Sequence, residues 1–157
     1  MLILKNFVIS LSSASERRKH IEQVFEGQGV EFEFFDAITP DKAYELKQKY
    51  FPECASDSIS PAELACAMSH IAVWLRAKNL GLEYVTIFED DIYSGENAAL
   101  FLNDSAWIPK NIDVIKLETF LIKLFLGKSL GEIYNRNLYP LNHFHFGGEG
   151  YILSLKA

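Results

Sequence analysis

Apolar positions along this chain fall into short β-branched or aromatic runs that alternate with stretches spaced at helical intervals. Residues 3 to 11, Ile-Leu-Lys-Asn-Phe-Val-Ile-Ser-Leu, read as a first strand, central in its sheet. Ser13-Ala14-Ser15-Glu16 fits a capping box, so a helix is expected to start there. Ile21, Val24 and Phe25 give that helix an apolar stripe, and Gly27 and Gly29 end it. Phe32-Glu33-Phe34-Phe35 reads as a second strand closing at Asp36. This β-α-β opening has the spacing of a parallel unit with a right-handed crossover.

Residues 41 to 50 suggest a short polar helix, and 51 to 59 a loop. Ser60-Pro61-Ala62-Glu63 is a helix start with Ser as cap, Pro at the first position and Glu reaching back. Leu64, Ala67, Met68, Ile71, Trp74 and Leu75 follow at helical spacing, so that face is expected to be core, with Cys66 buried beside it. Gly81 breaks the pattern before a strand at 84 to 88. Further on, 97 to 103 suggest a short helix and 112 to 117 a strand ending in Glu118-Thr119. Residues 132 to 139 and 142 to 146 read as strands separated at Pro140, and Tyr151-Ile152-Leu153-Ser154 as the last strand. The fold class is therefore α/β, in one domain over residues 1–157.

The strand at 84 to 88 ends in Glu89-Asp90-Asp91. Three adjacent carboxylates repel one another unless a cation or water offsets them. Ligands of open α/β sheets bind at the carboxyl ends of strands, so a hard divalent cation with a phosphate-bearing ligand is the first hypothesis. A solvated acidic turn is the competing reading. Ser10, Arg17 and Arg18 stand where the first strand meets its helix, whose N-terminus suits a phosphate; ordinary capping is the alternative. Ser69-His70 lies mid-helix, either on a partly exposed polar face or facing a ligand cleft. Glu118 ends its strand as the acidic triplet does; if the two strands are neighbours it enters the same cleft as a general base. His143 and His145 would share one face of a strand, as a surface pair or a metal pair, and His20 reads as a surface helix residue.

Bulk properties narrow the function. A formal net charge of -6 argues against a nucleic-acid groove, which needs clustered Lys and Arg. The two cysteines lack metal or redox spacing and read as thiols in a reducing compartment. No apolar run approaches a membrane span and the N-terminus does not read as a signal peptide, so a cytoplasmic protein is expected. A chain stopping just past its last strand hints at a fragment or a shortened protein.

Six collinear segments resemble glycosyltransferase family 25, the bacterial lipooligosaccharide biosynthesis transferases. They are Val8-Ile9-Ser10-Leu11 with Arg17-Arg18, Phe34-Phe35-Asp36-Ala37-Ile38, Glu63 through His70, Ile87-Phe88-Glu89-Asp90-Asp91, Asp113 through Thr119, and Gly150-Tyr151-Ile152-Leu153-Ser154. The resemblance implies a GT-A-type, Rossmann-like nucleotide-sugar-binding sheet, C-terminally shortened here. It implies metal-assisted, inverting transfer of a hexose, commonly galactose from UDP-galactose, to a lipooligosaccharide hydroxyl. By the same analogy Asp91 is the ligand of Mn2+ (or Mg2+), Glu89 or Asp90 lies near the ribose or a metal-bound water, and Ser10, Arg17 and Arg18 cradle the nucleotide. Ser69 and His70 join the substrate-binding set, and Glu118 is the catalytic base. Expected partners are a UDP-sugar and a saccharide acceptor, without nucleic acid, with peripheral contact at the inner membrane and a homodimer as further expectations. Gly147-Gly148-Glu149-Gly150 departs from the Gly-Thr pair common in the family. Two other readings stay open: an inactive, nucleotide-binding or dimerising remnant, and a metal-dependent phosphohydrolase.

Overall fold

The computed structural model describes residues 4–54, 59–118 and 122–156; Ile3 of the first expected strand, part of the loop at 51 to 59, and Thr119 lie outside them. Five strands form one sheet in the order β2-β1-β3-β7-β4. They are β1 (Lys5–Ser10), β2 (Glu33–Asp36), β3 (Tyr84–Glu89), β4 (Val114–Lys116) and β7 (Gly150–Ser154). A separate hairpin pairs β5 (Gly131–Ile133) with β6 (Arg136–Leu138). The helices are α1 (Ser15–Glu26), α2 (Pro40–Tyr50), α3 (Pro61–Asn79) and α4 (Ala98–Leu102).

β1 pairs in parallel with β2 and β3, while β7 runs antiparallel between β3 and β4. The sheet is thus mixed, and its antiparallel member has a functional consequence. The carboxyl ends of β1, β2, β3 and β4 and the amino end of β7 all reach the same edge. That edge carries Ser10, Asp36, Glu89, Lys116 and Gly150.

Side chains alternate across the sheet, so each face has its own core. Phe7, Ile9, Val85, Ile87 and Tyr151 pack with Val73 and Ala77 of α3. On the opposite face Val8 and Phe88 pack with Ile21 and Phe25 of α1 and Leu102 of α4. Each large apolar side chain among these contributes roughly 1.5–3 kcal/mol by leaving water. Asn6 is a polar exception in β1: its buried amide donates to the carbonyls of Glu31 and Leu102, tying β1 to the segment before β2 and to the end of α4.

Three local expectations need correction. The box at Ser13 does not cap α1: Ala14 occupies the cap position, and no side chain bonds there. The box at Ser60 does form, with Glu63 N–H donating to Ser60 Oγ at 3.2 Å and the Glu63 carboxylate accepting from Ser60 N–H at 2.6 Å. The buried face of α3 coincides only in part with the one read off the apolar residues: Met68 is buried and Leu64 and Ile71 pack against the cluster shared with α2, but Trp74 is 39% exposed. Ala65, Met68, Ser69, His70, Val73 and Ala77 point inward, whereas Leu75 is 52% exposed and Cys66 is exposed. Two crossing surfaces compete for this helix, the sheet and α2, and between them they favour small residues at 65, 69 and 77 over the larger apolar ones. Finally, 142 to 146 is not a strand, and the strand expected over 132 to 139 is instead the β5–β6 hairpin, turned at Tyr134 and Asn135, both at positive φ.

Candidate active site

The period-2 geometry of β3 divides the acidic triplet. Glu89 continues the series Val85, Ile87 toward α3, and Asp90 continues the series Thr86, Phe88 toward α1. The three carboxylates therefore do not form one cluster.

On the α1 side, Asp90 is nearly buried, with 7% of its surface exposed. It accepts from Ser10 Oγ at 2.7 Å and from Arg17 Nη1 at 3.0 Å. Ser10 is itself buried, and its carbonyl accepts from Arg18 Nη2 at 3.0 Å. Arg18 also pairs with Asp36 at the end of β2 and stacks over the Phe34 ring. Ser10, Asp90, Arg18 and Asp36 thus form a bracing network across β1, β2 and β3, in which Ser10 and Asp90 are committed to protein partners. Arg17 sits at its rim with 61% of its side chain exposed. The carboxylates of Asp90, then Asp91 and Glu89, hold its guanidinium above its ordinary pKa.

Asp91 is exposed in the turn after β3. With Glu16, Arg17, His20, Asp90 and Tyr93 it lines a cleft of about 260 Å3. His20, expected as a plain surface residue, instead meets the Ile92 carbonyl at 3.0 Å and the Tyr93 ring edge-on at 4.9 Å. It fastens α1 to this turn. A larger groove of about 300 Å3 opens beside the cleft, lined by Phe88, Phe101, Trp107, Lys116 and Arg136 among others, and Tyr93 borders both.

On the α3 side, Glu89 lies 3.4 Å from His70 Nε2 and 3.6 Å from Cys66 Sγ. His70 keeps the Glu89 carboxyl below its ordinary range, against the opposing effect of burial. His70 Nδ1 meets Tyr151 Oη at 2.9 Å, and Trp74 Nε1 donates to the same oxygen at 2.8 Å. Burial raises the Tyr151 phenol, which stays protonated. His70 thus faces the end of β3. The Ser69 hydroxyl is engaged within the protein: it donates to the Ala65 carbonyl at 2.7 Å and accepts from Ile38 N–H at 2.9 Å.

Glu118 reaches this edge by a route other than the expected one. β3 and β4 are not neighbours, because β7 lies between them. Glu118 accepts from the Gly150 backbone N–H and pairs with Lys116, so it anchors the start of β7. The expected pairing of His143 with His145 on one strand face is not found: His143 is exposed, and the His145 side chain, 3% exposed, lies 4.0 Å from Glu118.

Cys66, Trp74, Tyr151 and His20 were not singled out as site residues from the sequence. Cys66 and His70 are four apart on a helix, a spacing that puts both on one face, and that signal was readable. Nothing in the sequence announced that Tyr151 would stand opposite them.

Residues 3–157 match the model of glycosyltransferase family 25 (LPS biosynthesis protein). The lacto-N-neotetraose biosynthesis glycosyltransferase LgtB of Neisseria meningitidis serogroup B is 38% identical over 98% of this chain and 59% of its own length. A putative glycosyltransferase of Haemophilus influenzae is 40% identical over 97% of this chain and 54% of its own. The lipooligosaccharide biosynthesis protein lic2B of the same species is 37% identical, over 97% and 60%. The chain therefore spans a little over half the length of these relatives. Among the described residues, no helix is long and apolar enough to cross a membrane.

Proposed function

Because the chain belongs to glycosyltransferase family 25, we propose that it carries the donor-binding half of a GT-A-type transferase. In this reading the protein moves a hexose, galactose by the family resemblance, from a UDP-sugar to a lipooligosaccharide hydroxyl with inversion. The observation that carries the proposal is the pairing of exposed Arg17 and exposed Asp91 in one cleft, at the strand edge braced by Ser10 and Asp90.

The charge of that cleft supports a metal-assisted donor site. Glu16, Asp90 and Asp91 outweigh Arg17, so a bare diphosphate would be repelled. Among the triplet, Asp91 is the carboxylate without a hydrogen-bond partner among the described residues, whereas Glu89 and Asp90 are engaged. Asp91 would hold Mn2+ or Mg2+ with phosphate oxygens and water completing the shell, as is usual for such ions. The ion would neutralise charge growing on the departing diphosphate. Arg17 would add a charge-assisted hydrogen bond to a phosphate oxygen. Arg18, Ser10 and Asp90 hold Arg17 and the turn in place rather than touch the donor. The neighbouring groove would take the acceptor, since its shared wall at Tyr93 sets two ligands side by side.

Calorimetric titration with UDP, with and without Mn2+, tests this. Binding is expected to need the metal and to weaken at least about tenfold, about 1.4 kcal/mol, in Asp91→Ala and in Arg17→Ala. Metal-independent binding that survives Asp91→Ala would refute it. One observation favours a second reading, a dimerising remnant. Phe125, Leu130, Phe144 and Phe146 are exposed together in the segment from 122 to 146. A concentration-dependent dimer by ultracentrifugation, with no UDP binding, would decide for it.

A further inference from the structure

We propose that Cys66, His70 and Glu89 form a second metal site, selective for a borderline cation such as Zn2+ and distinct from the Asp91 cleft. Sγ of Cys66, a ring nitrogen of His70 and a carboxylate oxygen of Glu89 all lie within 4.8 Å of one another. A tetrahedral zinc with ordinary bond lengths separates its O and N ligands by roughly 3.3 Å and its O and S ligands by roughly 3.5 Å. The structure gives 3.4 Å from Glu89 to His70 Nε2 and 3.6 Å from Glu89 to Cys66 Sγ. These two separations are thus close to those of the tetrahedron, and the third, between Cys66 Sγ and a His70 ring nitrogen, lies within 4.8 Å.

The surroundings match what a metal-binding imidazole needs. His70 Nδ1 meets Tyr151 Oη, which is held in turn by Trp74, so the ring is fixed with Nε2 directed at Glu89. Gly148 stands over the cluster: a Cβ there would lie 3.7 Å from His70 Nε2 and 3.9 Å from the Glu89 oxygen. The missing side chain leaves room for a fourth ligand. A separate observation points the same way. Glu149 Oε2 is buried with no hydrogen-bond partner among the described residues, and its charge reaches Cys66. A local excess of negative charge with an unsatisfied carboxylate favours a cation.

A thiolate and an imidazole select Zn2+ or Co2+ over Mn2+ and Mg2+, so the two sites are separable by metal type. On binding, the Cys66 thiol gives its proton to solvent, and the ring proton of His70 stands at Nδ1, donated to Tyr151 Oη, which leaves Nε2 free for the cation. Affinity therefore rises with pH.

The test is a Co2+ titration of the metal-free protein in excess Mn2+, followed by absorption spectroscopy, with Zn2+ competition. One equivalent of Co2+ should bind and give a thiolate-to-cobalt charge-transfer band that Zn2+ abolishes. Cys66→Ser, an exposed and nearly isosteric change, should remove the band and weaken Zn2+ binding at least about tenfold. Cys54→Ser and Asp91→Ala should both retain the band. Absence of the band in the unmodified protein, or its loss in Asp91→Ala, would overturn the site. So would Zn2+ affinity unchanged in both Cys66→Ser and Glu89→Gln, with circular dichroism verifying that each is folded. UDP binding in Mn2+ is read separately, so failure of this site leaves the donor proposal standing.

Discussion

Tyr151→Phe removes one oxygen and leaves two groups without their partner. Tyr151 is 8% exposed, and its hydroxyl accepts from Trp74 Nε1 at 2.8 Å and meets His70 Nδ1 at 2.9 Å. The phenyl ring keeps its place between the sheet and α3, so little of the packing term changes. What remains is the cost of two orphaned polar groups, about 1–3 kcal/mol for each one that water cannot reach. Trp74 is 39% exposed, so its N–H finds water and loses little; His70, 8% exposed, does not. The expected loss is therefore that of one orphaned group, about 1–2 kcal/mol. In a chain of this size that corresponds to roughly 2–8 °C in Tm. Urea unfolding of Tyr151→Phe, Trp74→Phe and the double variant measures it. The midpoint should fall with an unchanged slope, and the cycle should give a Trp74–Tyr151 coupling of about 0.5–1 kcal/mol. A loss for Tyr151→Phe below about 0.3 kcal/mol would refute the reasoning, because it would mean that His70 needs no partner at Nδ1.

Other outcomes follow from the same edge of the sheet. Glu89 has a depressed folded pKa, so its stabilising contribution is present above its ordinary value of 4.5 and lost as pH falls through the lower folded value. Glu89→Gln should accordingly flatten the loss of thermal stability below that pH, and an unchanged acid limb would count against the His70–Glu89 bond. The Cys66 thiol is pushed up to about 11, first by burial and then by Glu89. In chelator-treated protein near neutral pH, iodoacetamide should label it slowly and label it faster in Glu89→Gln; equal rates by mass spectrometry would contradict this. Gly150→Ala places a Cβ 3.1 Å from the Phe88 ring and 3.6 Å from Glu118, and should cost about 1–3 kcal/mol in chemical denaturation. A neutral result would mean that β7 shifts without disturbing β3.

Local chemistry was legible where a segment settles its own conformation. The parallel opening unit, the Ser60 cap and the strand before the acidic triplet all form as their residues require. The α3 face was legible only in part: Met68 is buried and Leu64 and Ile71 pack toward α2, but Trp74 and Leu75 give way to small side chains that fit against both the sheet and α2. The failed box at Ser13 has the same character: the chain enters α1 through a bonded turn, in which Ala14 N–H donates to the Leu11 carbonyl, and that turn places Ala14 at the cap.

By itself the sequence determined which residues carry charge at the strand ends, since an apolar run must stop where carboxylates begin. It determined the family too, through segments whose order along the chain needs no folding to be read. Only the tertiary structure decided which carboxylate faces which helix. Strand pleating sends Glu89 to α3 and Asp90 to α1, and the antiparallel insertion of β7 turns Glu118 into an anchor for a neighbouring strand. A strand's side-chain alternation is fixed locally, but what waits on each face is set by elements tens of residues away. That is why adjacency in the chain did not become adjacency in space.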